Sequence, residues 1–247
     1  MLDRMHELLD FDLDLIDSIA QGGPLSSSET AAAERADWQR LPRPIRLAGF
    51  DEAGRGALAG PVAVACVHVD LGGGRDSLEF ARKRWAVALG GLDDSKRLTA
   101  RRRESLCEAI TSVAAWGFGC ASALEIDRWG IVHACRLAAR RAYGKLGVVP
   151  NVGLFDRGLS LVEDDGAASL RGLQFTRGDA RSMHIAAASV LAKVGRDAIM
   201  TRLDRRFSGY GLAQHKGYGT VAHRDAIRRL GPTSVHRRSF CTRIEQT

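Results

Sequence analysis

Residues 47–67, Leu-Ala-Gly-Phe-Asp-Glu-Ala-Gly-Arg-Gly-Ala-Leu-Ala-Gly-Pro-Val-Ala-Val-Ala-Cys-Val, constrain the fold more than any other stretch. An apolar run stops at two adjacent acids, turns through glycines that hold an arginine between them, and resumes as "PVAVACVHV" at 61–69. Alternation from Ile45 to Phe50 predicts a strand, and the β-branched run at 61–69 predicts a buried strand paired with it. A hairpin that served only a core would not carry charge at its joint.

The rest of the chain interleaves strand and helix signals. Thr99 is placed to cap a helix with Leu106, Ile110 and Val113 facing inward. "WGFGCASA" reads as a strand, and Ser122 with Glu125 as a capping box opening a helix through about Tyr143. "NVGLFD" (151–156) and residues 170–176 read as strands, and a long helix begins near Ser182. Residues 71–92 read as a surface excursion. An α/β sandwich is expected. Residues 1–40 are expected to form an appendage, an acidic amphipathic helix with Leu2, Met5, Leu9 and Ile16 apolar, then a linker, ahead of a main domain over 41–247. A folded-on helix, a partner-binding tail and disorder are all open for the acidic segment.

Charge is unevenly laid out. The net charge is +7, yet residues 1–20 hold six acids and one base, which leaves +12 for the rest (+7 less −5). Such a basic body suits a polyanionic partner, nucleic acid first. No apolar segment approaches the ~20 residues of a membrane span, and the start lacks the order of a secretory signal. Five cysteines without a Cys-x-x-Cys pair argue against a disulfide framework or zinc knuckle and fit reduced thiols. A cytoplasmic protein is expected.

The turn at Gly54, Gly56 and Gly60 is no dinucleotide fingerprint, because its spacing is off by one and a strand, not a helix, follows. It suits a hairpin whose backbone a ligand approaches closely. Asp51 and Glu52 end the first strand, Asp156 ends "NVGLF", and Asp179 lies just before the long helix. Carboxylates converging at one sheet edge repel unless cations neutralise them. Oxygen ligands suit Mg²⁺ or Mn²⁺, and two such ions are the apparatus for attack on a phosphodiester. Each acid alone has a mundane reading too: Asp179 as a helix cap, Asp51 as a turn residue, Glu52 as a partner for Arg55. Asp51 and Glu52, as strand neighbours, cannot both face one ion without a bend, unless Glu52 contributes its backbone carbonyl.

With "AGFDEAGRG", "LAGPV", "DDSKRLT", "GDARSMHIAAASVLAKVGRD", "YGLAQHKGYGT" and "GPTSVHRRSF" in order, the chain from about Leu47 to Phe240 resembles the type 2 ribonucleases H (ribonuclease HII). The resemblance implies an RNase H-like α/β fold, a mixed five-stranded sheet flanked by helices, with a helical C-terminal part. It implies a nuclease of DNA repair and replication that hydrolyses RNA in RNA–DNA hybrids and cuts 5′ of single ribonucleotides in duplex DNA, leaving 3′-hydroxyl and 5′-phosphate ends. It further implies a monomer without membrane association, and Asp51, Glu52, Asp156 and Asp179 as catalytic acids holding two Mg²⁺ or Mn²⁺ ions. Gly54, Arg55 and Gly56 would recognise the 2′-hydroxyl, Tyr218 would stack on the following sugar, and Ser95 and Lys96 would lie against the nucleic-acid backbone. His184, His215 and His236 receive no catalytic role. Three departures stand out. Asp156-Arg157-Gly158 replaces the family's usual Asp-Gly, and an acidic run, Glu163 to Asp165, follows. Ala57 stands where proline is common. The rivals are a ribonuclease H restricted to longer RNA tracts and a catalytically silent nucleic-acid-binding module.

Overall fold

The computed structural model describes residues 2–21, 38, 41–71, 78–93, 95, 97–161, 170–242 and 244; Lys96, the Glu163 to Asp165 run and the linker at 22–37 lie outside them. In chain order these form α1 (Leu2–Gln21), β1 (Leu47–Ala53), β2 (Val62–His68), α2 (Leu78–Ala88), α3 (Ala100–Val113), β3 (Ala115–Ala121), α4 (Ala123–Tyr143), β4 (Val152–Asp156), β5 (Arg171–Phe175), α5 (Met183–Arg206), α6 (Leu212–His215), α7 (Val221–Leu230) and α8 (Arg238–Cys241).

The five strands make one mixed sheet, ordered β3-β2-β1-β4-β5. β1 and β2 form the expected antiparallel hairpin, with Phe50 opposite Cys66. β4 runs parallel to β1, and β5 parallel to β4. Parallel neighbours end at the same edge, so the C-terminal ends of β1 and β4 lie side by side, with Phe50 opposite Phe155. The next residues along those strands are Asp51 and Asp156.

Helices cover both faces. α4 packs on one through Ala134, Cys135, Ala138 and Ala142, against Phe50, Val62, Val64 and Cys66. The capping box that starts it is present, with Ser122 and Glu125 bonded reciprocally. α5 covers the other face with α1, α2 and α3 outside it, sharing a core that includes Leu8, Trp85, Ile110, Ala187 and Val190. The helical C-terminal part docks beside the β1–β2 turn, where Ala59 meets Met200, Leu212 and Ile227. Among the described residues no helix is long and apolar enough to cross a membrane.

One expectation needs revision. Part of the excursion at 71–92 belongs to the core: Trp85, Leu89 and Leu92 are buried, and the Trp85 indole donates to the Asp70 carbonyl at 3.3 Å. Lys83 and Arg84 are exposed beside them, and those charges mask the inward stripe. Of the three states open to the acidic segment, the folded helix is the one present. Met5, Leu8 and Leu9 are fully buried, and so is Asp12. A cavity of about 580 Å³ lies beside the opposite end of β1, among Arg46, His68, Asp70 and His184, not where the acids meet.

Candidate active site

The pleat decides which way each acid points. Odd positions of β1 face α5: a Cβ on Gly49 would lie 2.2 Å from the His184 backbone, and the buried Asp51 carboxyl is influenced by the Ser189 hydroxyl of α5. Even positions face α4, where Phe50 packs. Glu52 follows Phe50: burial, then the Glu52 charge, push the Cys135 thiol of α4 up to about 11. β1 stays paired with β2 through Ala53, so no bend at Glu52 brings its side chain to the Asp51 face.

Asp156 belongs with Asp51. Leu154, two residues earlier on β4, packs with Ile185 of α5, and the Asp156 carboxylate accepts the Gly178 N–H at 2.8 Å. Gly178 opens a 3₁₀ turn, Gly178–Ala180, that carries the buried Asp179. Asp179 is not the cap of α5. Ser182 is, its hydroxyl accepting the Ile185 N–H at 3.3 Å. Three aspartates from β1, β4 and this turn therefore gather on the α5 side of one sheet edge.

Their field is visible in Asp51. Burial, then the Glu52 charge, and more weakly Asp156 and Asp179, hold its carboxyl well above the usual range, against the lowering influence of the Ser189 hydroxyl. Among the described residues no three acidic, histidine or cysteine side chains are drawn to ligand distance. The acids share a field without collapsing together. This all-oxygen donor set fits a hard divalent cation, which would relieve the repulsion.

Beyond Asp51 the hairpin turn is held from beneath by two buried arginines to which the sequence reading assigns no role. Arg237 donates to the carbonyls of Gly54 (2.8 Å), Arg55 (2.8 Å) and Gly60 (3.0 Å). In a trans peptide N–H and C=O point opposite ways, so the Arg55 and Gly56 amides face away from Arg237. Arg196 donates to the carbonyls of Ala59, Pro61 and Lys216. Burial and the neighbouring Arg196 bring Arg237 down to about 10, which still leaves it charged at neutral pH. Gly54 has φ +87°, and a Cβ there would meet the Arg196 guanidinium at 1.8 Å. A Cβ on Gly56 would meet nothing within 4 Å. The Arg55 guanidinium lies 3.5 Å from Glu52 and donates to the Gly158 carbonyl at 3.2 Å. The inserted Arg157 is exposed, and Asp156 keeps its place opposite Phe175.

Tyr218, partly exposed, sits in a loop tied to this turn. The Leu58 and Ala59 amides donate to the Gly217 carbonyl, and the Arg196 guanidinium lies 5.5 Å from the Tyr218 ring. Three histidines sit beneath it, and their tautomers follow from their partners. His236 Nδ1 accepts the Thr233 N–H at 3.0 Å, so its proton is on Nε2. That proton goes to His223 Nε2, 3.2 Å away, leaving His223 Nδ1–H to donate to the Tyr218 carbonyl at 3.0 Å. His215 accepts the Gly217 N–H and donates to the Tyr210 carbonyl. The relay works only with the His223 and His236 rings neutral. Burial, with His223 and His215 alongside, lowers His236 to about 4. Ser95 is buried, its hydroxyl 2.8 Å from that of Ser189, so it sits behind Asp51.

A family model described as Ribonuclease HII matches residues 48–243. Ribonuclease HII of Synechococcus sp. (strain CC9902) is 46% identical over 207 residues, 83% of this chain and 97% of its own. Ribonuclease HII of Moorella thermoacetica is 44% identical over 201 residues, 79% of this chain and 86% of its own. Among solved structures, the PCNA:RNase HII complex from Archaeoglobus fulgidus matches with a TM-score of 0.62 at 25% identity, over 78% of this chain and 94% of that one. Bst-RNase HIII in complex with Mn²⁺ shares the fold, with a TM-score of 0.59 at 19% identity over 82% of this chain and 71% of that one.

Proposed function

The chain belongs to the ribonuclease HII family of metal-dependent endoribonucleases, and on that premise we propose that it cuts 5′ of single ribonucleotides embedded in duplex DNA as well as RNA in RNA–DNA hybrids. One observation carries the reading: Asp51, Asp156 and Asp179, from separate segments, share the α5 face beside a turn whose amides are aimed outward by Arg237.

Asp51, Asp156 and Asp179 would hold Mg²⁺ or Mn²⁺ through side-chain oxygens, and Glu52, turned to the α4 face, through its backbone carbonyl. Two such ions would supply an activated water and would stabilise the charge on the leaving 3′-oxygen. The protein's own work is positional. The Gly54-Arg55-Gly56 turn would donate its outward Arg55 and Gly56 amides to a 2′-hydroxyl, the group that distinguishes RNA from DNA. Gly56 leaves room for the sugar. The Tyr218 ring, backed by Arg196 and fixed by the His223–His236 relay, stacks on the following deoxyribose. Ser95, through Ser189, orients the Asp51 carboxylate, and Lys96 lies against the nucleic-acid backbone. The basic body draws the polyanion in.

The test is incision of a duplex with one embedded ribonucleotide, in EDTA and after adding back Mg²⁺ or Mn²⁺. A single metal-dependent cut 5′ of the ribonucleotide is expected. Cutting of longer RNA tracts alone would favour the hybrid-only reading. Binding without cleavage under either ion would leave a silent binding module.

A further inference from the structure

Helix α1 precedes the family match at 48–243, yet it grips the segment that carries Asp179. Its contacts fall on both sides of that residue. Before it, Phe11 packs edge-on against Phe175 at the end of β5, with centroids 5.4 Å apart, and from beyond it the Arg181 guanidinium lies 4.7 Å from the same Phe11 ring. After it, Arg4 donates to the carbonyl of Ala180, the residue next to Asp179. Asp12, fully buried, accepts from both the His184 backbone N–H (3.1 Å) and its Nδ1 (2.7 Å). That backbone N–H is a first-turn amide of α5 with no partner inside its own helix, so Asp12 acts as a second cap supplied from another helix. Arg4 also reaches Asp93 at 3.4 Å, two residues before Ser95.

We infer that α1 is a positioning clamp for Asp179. Arg4 and Asp12 fix the two ends of the short connection, residues 180–184, that sets where the 3₁₀ turn stands relative to Asp51 and Asp156. Without Arg4 the Ala180 carbonyl loses this donor, and the turn keeps its internal bonds, Ala180 N–H to the Arg177 carbonyl and the Arg181 and Ser182 N–H groups to the Gly178 carbonyl, with the Gly178 N–H on Asp156. The inference rests on the reading of Asp179 as a metal-binding acid.

Groups that orient a metal ligand from behind typically contribute 10–100-fold to affinity. Arg4 acts through a backbone carbonyl one residue from Asp179, so the lower end applies. Calorimetric titration of the full chain with Mn²⁺, without nucleic acid, should show Arg4→Ala weakening binding about tenfold. Arg4→Lys, which cannot span both partners, should fall between, and Asp14→Asn, at an exposed position on the same helix, should match the wild type. Cleavage by Arg4→Ala should recover as Mn²⁺ is raised, which a general loss of folding would not do. Asp12→Asn should weaken Mn²⁺ binding in the same direction, with its melting temperature recorded alongside. Wild-type Mn²⁺ affinity in Arg4→Ala would overturn the clamp alone. Absence of Mn²⁺ binding by the wild type would remove the premise and the clamp with it.

Discussion

Gly54 and Gly56 flank the same arginine but answer to different constraints, and substituting each by alanine separates them. At Gly54 the backbone is left-handed and a methyl would collide with the Arg196 guanidinium. The conformation costs ~1–2 kcal/mol and the overpacking ~1–3 kcal/mol, so Gly54→Ala should lower unfolding stability by about 2–5 kcal/mol. At Gly56 nothing inside the chain meets the methyl, so Gly56→Ala should leave stability within about 0.5 kcal/mol of wild type. The space over Gly56 is where the ribose would come. A methyl there displaces the sugar from the turn amides, which costs one hydrogen bond to the reacting nucleotide and about 1 Å of alignment. Incision at a single ribonucleotide should fall between about 10- and 100-fold in kcat/KM, while affinity for all-DNA duplex stays unchanged. Urea unfolding and single-ribonucleotide incision, run on both variants, measure the two effects. Wild-type incision by a normally folded Gly56→Ala would refute the placement of the 2′-hydroxyl at this turn.

Other consequences are open to measurement. His236 takes up a proton near pH 4 in the fold against 6.5 ordinarily, so the unfolded chain binds more protons between those values and stability falls on acidification through that window. The loss should approach ~3 kcal/mol, seen by urea titration at pH 7 and pH 4; an equal acid loss in His236→Asn would contradict the relay. Arg237→Met leaves three carbonyls under the turn without their donor and should cost ~3 kcal/mol or more. It should reduce incision but spare Mn²⁺ binding, and loss of both would mean the turn and the acids are not independently held. Asp51→Asn should abolish cleavage and keep hybrid binding. Because it removes a buried, repelled charge, it should also melt higher than wild type in EDTA, and a lower melting temperature would argue against the crowding of the acids.

What could be read from the chain before folding was whatever local chemistry dictates. The hairpin, the Thr99 and Ser122 caps and the start of α5 at Ser182 follow from residues within a few positions of one another. The acids at strand ends were legible because charge interrupts apolar runs there. Arg196, Arg237 and Asp12 were not, because charged side chains are seldom fully buried, and only a tertiary arrangement supplies the carbonyls and the histidine they bind. Ser95 was expected to face the nucleic acid, yet its hydroxyl turns inward to Ser189 on a helix 94 positions along the chain. Nothing near it in sequence could have shown that.

The pleat of β1 sends Asp51 and Glu52 into different halves of the molecule. One carboxylate moves with α5 and its outer helices, the other with α4 and the small-residue layer around Cys135. Each helical layer is thereby wired to a different acid of the same pair. A lesion buried under α4 would reach the Glu52 carboxylate first, and one beneath α5 the Asp51 carboxylate, so distant packing defects should be distinguishable by which of the two carboxylates they disturb.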